Sequence, residues 1–170
     1  MKIFGKNLKK EILYIAEIGV NHEGSLGKCL KLIKQAKKAG ADVVKFQCYT
    51  PEMYVSTEEQ KFERIKNFYL SEKSFLKIIK FCKKIKIHFL FTPLSHDWVN
   101  FISKHSSYVK IASGDLDFEY LIKKIIQKKL NIFLSTGISS FAEIKKTTNL
   151  IKKSYKKNSN RKFFYHLKNH

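Results

Sequence analysis

Tyr108-Val109-Lys110-Ile111-Ala112-Ser113-Gly114-Asp115 decides how this chain is read. It opens as a short apolar run, the pattern of a strand buried on both faces. It closes on small polar residues, the pattern of a strand end passing into a loop. Lys110 stands inside the run, and an ammonium is costly to bury without a partner. Two accounts are open on these residues alone. Either the lysine snorkels outward or meets a structural carboxylate, or it is the counter-charge of an anion site in which Ser113 and Gly114 supply donors.

On either side of this stretch the same pattern recurs. Leu13–Val20 predicts a strand interrupted by Glu17 and followed by the polar loop Asn21-His22-Glu23-Gly24. Ser25 is placed to cap a helix reaching about Ala39, with Leu26, Leu30, Ile33 and Ala36 at helical spacing and Gly40 as its stop. Asp42–Cys48 predicts a second strand in which Lys45 and Gln47 share a face. Residues 51–67 read as a long, irregular, charged and exposed segment, a kind of loop that is often functional. A helix is expected from Ser71 to Lys84, then a strand over Ile87–Phe91 ending at Thr92-Pro93, and a short helix over Asp97–His105. Strand Tyr108–Ile111, helix Phe118–Lys129 and strand Asn131–Leu134 follow, the last ending in Ser135-Thr136-Gly137. A helix from Ser140 or Phe141 to Ser154, a polar break over Lys156–Arg161 and a sixth strand over Lys162–His166 complete the pattern.

Strand and helix alternate every thirty residues or so, roughly the length of a βα unit in a parallel sheet. Such units build either a doubly wound sheet or a (β/α)8 barrel. The first strand is not followed by G-x-G-x-x-G, and no P-loop is present. Polar residues stand instead at the ends of successive strands: Glu17, Lys45 with Gln47, Thr92, Lys110 with Ser113 and Asp115, and Ser135 with Thr136. That is the layout of a barrel mouth. The expected fold class is α/β, an incomplete (β/α)8 TIM barrel of five to six βα units forming one partial domain over residues 1–170.

In a barrel these ends converge. Lys45 and Lys110 are cationic, and Gln47, Thr92, Ser113 and Ser135 offer hydroxyl or amide donors, a set suited to a small anion carrying phosphate or carboxylate. Glu17 and Asp115 add carboxylates that can hold a hydroxylated substrate, act as acid or base, or reach a metal. The rival account pairs the lysines with Glu17 and Asp115 as a structural network; the number of polar ends favours a site. His22 follows a strand end and either lines the pocket or sits in an exposed loop. His88, His96 and His105 read as surface or helix-end residues. His166 and His170 are spaced four apart, but on an unsupported tail, so no metal is assigned to them.

The net charge is +20, from 34 Lys+Arg against 14 Asp+Glu. Arg64 and Arg161 are the only arginines, and lysines recur on every expected helix rather than on one face. Readers of nucleic acid favour arginine for base edges and stacking, so solvated lysine-rich helix faces account for the charge better than a nucleic-acid partner. Cys29, Cys48 and Cys82 have no metal-ligand spacing and read as reduced, mostly buried thiols. No apolar run is long enough to span a bilayer, and Met1–Glu11 lacks the apolar core of a signal peptide. A cytoplasmic location is the default expectation.

Ile15-Ala16-Glu17-Ile18-Gly19-Val20-Asn21-His22-Glu23-Gly24-Ser25-Leu26 resembles the opening motif of the sialic acid synthases, and Ala39–Gln47 resembles their second strand. Phe91-Thr92-Pro93, Val109–Asp115 and Leu134–Ile138 match the next strand ends in order, so the resemblance runs from about Leu13 to Lys152. The family includes N-acetylneuraminate, legionaminate and pseudaminate synthases. Its fold is a (β/α)8 barrel followed by an antifreeze-like domain, and it condenses phosphoenolpyruvate with a 2-acetamido sugar using a divalent metal, manganese or magnesium. The resemblance implies that Lys45, Gln47, Thr92, Lys110, Ser113 and Ser135 hold phosphoenolpyruvate, while Glu17 and Asp115 orient the sugar or its attacked carbonyl. It also implies that the family's metal-binding histidines belong to strands beyond these residues. The expectation is therefore a C-terminally truncated barrel without the antifreeze-like domain. Alone it would be inactive or impaired, with a partner chain able to supply the missing strands. A basic RNA-binding protein is the remaining alternative.

Overall fold

A computed structural model describes residues 2–156 and 163–166. Residues 157–161 of the expected polar break, Lys162 and His170 lie outside the described residues.

The chain opens on two short antiparallel strands, β1 (Lys2–Ile3) and β2 (Lys6–Asn7). Phe4 and Gly5 join them at φ 47° and 85°. Two consecutive left-handed residues make the reversed turn whose twist suits a hairpin. Phe-Gly is a weak signal for that turn, and the sequence reading assigned no structure here.

Then follow β3 (Ile15–Gly19), α1 (Leu26–Lys38), β4 (Val43–Cys48), α2 (Pro51–Tyr54), α3 (Phe62–Asn67), α4 (Glu72–Lys84), β5 (His88–Pro93) and α5 (Trp98–His105). After them come β6 (Tyr108–Ile111), a single 3₁₀ turn (Ser113–Asp115), α6 (Glu119–Gln127), β7 (Asn131–Ser135), α7 (Phe141–Lys156) and β8 (Phe163–His166). Local chemistry sets the boundaries. Ser25 caps α1 by accepting from Lys28 N–H at 3.2 Å, and Ser71 caps α4 by accepting from Ser74 N–H at 3.3 Å. Ahead of α7, Ser140 and Glu143 form a reciprocal capping box, with Ser140 N–H donating to Glu143 Oε2 at 2.7 Å and Glu143 N–H donating to Ser140 Oγ at 3.3 Å. Gly40, at φ 89°, closes α1, while Ala41 N–H reaches back to Ala36 C=O at 3.0 Å.

Residues 51–67 are mostly exposed, as expected, but are not irregular throughout. They hold α2 and α3, and Pro51 and Phe62 are buried. Proline at a first helical position presets the required φ, and Phe62 anchors the second short helix.

The strands form two three-stranded sheets, in the orders β3-β4-β5 and β6-β7-β8, besides the terminal hairpin. Neighbours in sequence are neighbours in the sheet, and β3/β4, β6/β7 and β7/β8 pair in parallel. A doubly wound sheet would reverse its order at a switch point. Sequential parallel strands, with a helix after each of β3 to β7, are the α/β architecture of a partial (β/α)8 barrel.

The chain divides into two compact units, Met1–Gln47 with Val55–Leu90, and Cys48–Tyr54 with Phe91–His170. In the first, α1 packs against β3 and α4, and Ile33, Val44, Phe46, Phe75 and Ile78 are fully buried or nearly so. The Phe46 and Phe75 rings meet edge to face at 6.0 Å. In the second, α6 packs against α5 and α7, and Phe101 meets both Phe91 at 6.3 Å and Trp98 at 5.3 Å. Among the described residues β3 pairs only with β4. Around the start of β3 Ile12, Tyr14 and Ile15 are exposed, and Tyr14 and Ile15 share an open groove with Ala36, Ala39 and Ala41 at the end of α1. No helix among the described residues is long and apolar enough to cross a membrane.

Candidate active site

In the first unit, Glu17 on β3 stands opposite Lys45 on β4, and Lys45 Nζ pairs with Glu17 Oε2. The Lys45 side chain is 8% exposed and the Glu17 side chain 51%. The β3/β4 ladder slips between Glu17 and Gly19, a bulge of the kind that re-aims side chains at strand ends. Gly19 sits at φ 54°, and Glu17 Oε1 lies 3.1 Å from where a Cβ at Gly19 would be, so the carboxylate folds back over the glycine. Strand alternation puts half-buried Gln47 on the same face as Lys45.

His22 is 1% exposed, which removes the exposed-loop reading. Gly24 N–H donates to its Nδ1 at 3.2 Å, so Nε2 carries the proton of the neutral ring. Nε2 has no well-formed hydrogen bond among the described residues. Burial holds the imidazole below its usual pKa; the nearby Gly19 backbone opposes this and Lys28 adds to it. The loop is seated tightly, since a Cβ at Gly24 would lie 2.1 Å from Asn67 C=O at the end of α3.

In the second unit, β6 corrects the expectation of a strand buried on both faces. Val109 and Ile111 are fully buried, whereas Tyr108 and Lys110 are half-buried. Lys110 is in register with Phe133, so strand alternation puts Lys110, Phe133 and Ser135 on the less covered face, with Val109, Ile111, Ile132 and Leu134 on the other. Thr92 is buried near the end of β5. Ser113 and Asp115 belong to the 3₁₀ turn, which Asp115 N–H closes onto Ala112 C=O at 3.1 Å. The ends of β6 and β7 meet: Ser139 Oγ donates to Ser113 C=O at 3.3 Å, and Ser113 Oγ lies 3.8 Å from the Cβ position of Gly137. Burial pushes the Asp115 carboxyl up to about 6, against the pull of Lys110 and with a further push from Asp117.

Sequence reasoning missed a second set of residues in this unit. Thr50 N–H donates to Ser95 Oγ at 3.0 Å, Thr50 Oγ1 donates to Asp97 Oδ2, and Trp98 Nε1 donates to Thr50 Oγ1 at 3.2 Å. Leu94 N–H bonds Cys48 C=O at 2.8 Å. The turn after β4 is thus bolted to the loop after β5. Asp97 precedes α5 but makes no capping bond, because its carboxylate is turned to Thr50. On the same turn the Tyr49 and Tyr54 rings pack at 5.3 Å.

Within the first unit the structure thus joins Glu17 and Lys45, with Gln47 beside them. Within the second it sets Lys110 within electrostatic reach of Asp115 and brings Ser113 to the end of β7, where Ser135 lies. Cys29, Cys48 and Cys82 are buried thiols outside any disulfide, and burial pushes the Cys29 and Cys82 thiols up to about 12, which leaves those two protonated and inert. Among the described residues no group of three or more His, Cys, Asp or Glu side chains could hold a metal ion.

Residues 32–163 match the model of the NeuB family. The chain is similar to an uncharacterized protein, MJ1065, of Methanocaldococcus jannaschii, with 40% identity over 76% of this chain and 39% of that protein. It is similar to N,N'-diacetyllegionaminic acid synthase of Campylobacter jejuni, with 32% identity over 89% of this chain and 50% of the synthase. Among solved structures, N-acetylneuraminic acid synthetase from Leptospira borgpetersenii, in complex with citrate, superposes with a TM-score of 0.84 at 28% identity, covering 92% of this chain and 53% of that one. The chain spans about half the length of the curated relatives it matches.

Proposed function

The chain belongs to the NeuB family, and on that footing we propose that it serves in the condensation of phosphoenolpyruvate with a 2-acetamido sugar such as N-acetylmannosamine to give a nonulosonic acid for surface carbohydrate. The observation that carries this reading is Lys45, a buried ammonium whose carboxylate partner is half exposed. A multiply charged anion entering beside it can displace Glu17 into water and take over the pairing.

The side chains assigned to phosphoenolpyruvate are Lys45 and Gln47 in the first unit and Thr92, Lys110, Ser113 and Ser135 in the second. The lysines neutralise phosphate and carboxylate charge, and the hydroxyl and amide groups orient it. The enol carbon attacks the sugar aldehyde, water adds to the resulting cation, and phosphate leaves. Glu17 orients the sugar. Asp115, with its carboxyl near 6, is poised to take or return a proton around neutral pH. A divalent metal, manganese or magnesium, is the proposed cofactor. The described residues do not fit it, so its ligands and the rest of the sugar site are assigned to polypeptide beyond these residues, covalently continuous or supplied by a partner chain. These residues by themselves are proposed to bind phosphoenolpyruvate while turning over feebly.

The test is phosphate release from phosphoenolpyruvate and N-acetylmannosamine with manganese, alongside titration of phosphoenolpyruvate into wild type and Lys45→Met. Saturable binding that the substitution weakens supports the reading. Absence of binding to the wild-type chain removes it.

A further inference from the structure

Tyr54 ends α2. Tyr54 is 40% exposed, while Tyr49, against whose ring its own packs at 5.3 Å, is only 4% exposed. One member of an aromatic pair is therefore enclosed in the protein and the other left partly open to solvent. The support is rigid. Pro51 presets the first residue of the turn, and Thr50, immediately before it, is held at once by Ser95, Asp97 and Trp98. Met53 N–H closes the turn on Thr50 C=O at 2.9 Å. An exposed ring on so constrained a turn loses little conformational freedom when something rests on it.

What lies beside the ring gives the surface its chemistry. Asp115 is close enough for its charge to act on the Tyr54 hydroxyl, whose pKa is raised first by burial and then by that carboxylate. An exposed aromatic ring whose hydroxyl lies within electrostatic reach of a half-buried carboxyl matches a ligand with C–H groups on one side and N–H or O–H hydrogens beside them. A 2-acetamido sugar carries both features.

We infer that Tyr54 is a specificity residue of the second unit, its ring taking the C–H and acetamido-methyl side of the amino sugar while Asp115 accepts a hydrogen from the sugar's N–H or O–H. This rests on the functional reading above and adds to it a contact outside the phosphoenolpyruvate set.

The experiment titrates the full chain, as wild type, Tyr54→Ala, Tyr54→Leu and Tyr54→Phe, with N-acetylmannosamine and separately with phosphoenolpyruvate, following ligand resonances by saturation-transfer NMR. Thermal melts confirm that each variant is folded; Tyr54→Leu keeps apolar bulk should the alanine variant unfold. Tyr54→Phe is expected to bind the sugar like wild type. Tyr54→Ala and Tyr54→Leu are expected to bind it about tenfold more weakly, the loss of one aromatic contact, with phosphoenolpyruvate binding unchanged. Wild-type sugar affinity in Tyr54→Ala, or equal weakening of both ligands, overturns the inference and leaves the functional reading standing. Phosphoenolpyruvate binding with no sugar binding by the wild-type chain does the same. Binding of neither ligand by wild type removes both.

Discussion

Glu17 and Lys45 face each other across parallel strands as an unequal pair, with the lysine enclosed and the carboxylate half in water. The two halves should therefore respond differently to mutation. Glu17→Gln leaves a buried ammonium short of its anionic partner and is expected to lower stability by about 1–3 kcal/mol. Lys45→Met leaves a carboxylate that water can solvate and should lower stability less, while weakening phosphoenolpyruvate binding about tenfold or more. Urea unfolding of the two variants, with the anion titration, checks the asymmetry. Equal destabilisation would remove it.

Asp115 should give stability a pH dependence of definite sign. Burial raises its folded pKa to about 6, so the native state binds the proton more tightly than the unfolded chain. Its contribution is fully present below the usual carboxylate range and is lost as pH rises through about 6. Asp115→Asn, which cannot ionise, should then be nearly neutral at pH ~4 and stabilising at pH ~7, on the order of 1 kcal/mol once partial solvation is allowed for. Paired urea melts at the two pH values read this out; a gap that closes with rising pH contradicts it.

Gly24 and Gly40 both have positive φ, yet only Gly24 is crowded. At Gly24 a Cβ would come within 2.1 Å of Asn67 C=O, whereas at Gly40 nothing lies within 4 Å. Gly40→Ala should cost about 1 kcal/mol, the left-handed strain alone. Gly24→Ala should cost at least about 2 kcal/mol, because backbone must also move. Denaturant midpoints of the two variants test the order.

Thr50→Val removes the hydroxyl that joins Asp97 and Trp98. It strands the Asp97 carboxylate, whose Oδ1 has no hydrogen-bond partner among the described residues, and an expected loss of about 1–3 kcal/mol follows. Trp98 is the only tryptophan, so its emission reports directly on the clamp and should shift in this variant while staying unchanged in Ser103→Ala, on the far turn of α5.

The order of elements was legible because parallel βα units announce themselves through apolar runs and caps. Ser25, Ser71 and Gly40 stand where a helix start or stop requires them, and Glu17 and Lys45 were visible as charges within apolar runs. Other features had no such signature. Lys86 and Lys129 occupy left-handed positions just past α4 and α6, where glycine would have marked the stop. Residues 51–67 looked irregular because α2 and α3 are too short to show a period. The crowding of Gly24, in the loop that holds His22, comes from Asn67, far along the chain. The Thr50–Asp97–Trp98 clamp joins segments about fifty residues apart, which no local pattern records.

The exposed apolar side chains of Ile12, Tyr14 and Ile15 around the start of β3 also bear on how the protein behaves as a colloid. Copies are kept apart by a net charge of +20, and that repulsion reaches only about 8 Å at physiological ionic strength. Raising the salt should therefore drive self-association through this apolar seam, visible as light scattering that climbs with sodium chloride and subsides on dilution into low-salt buffer.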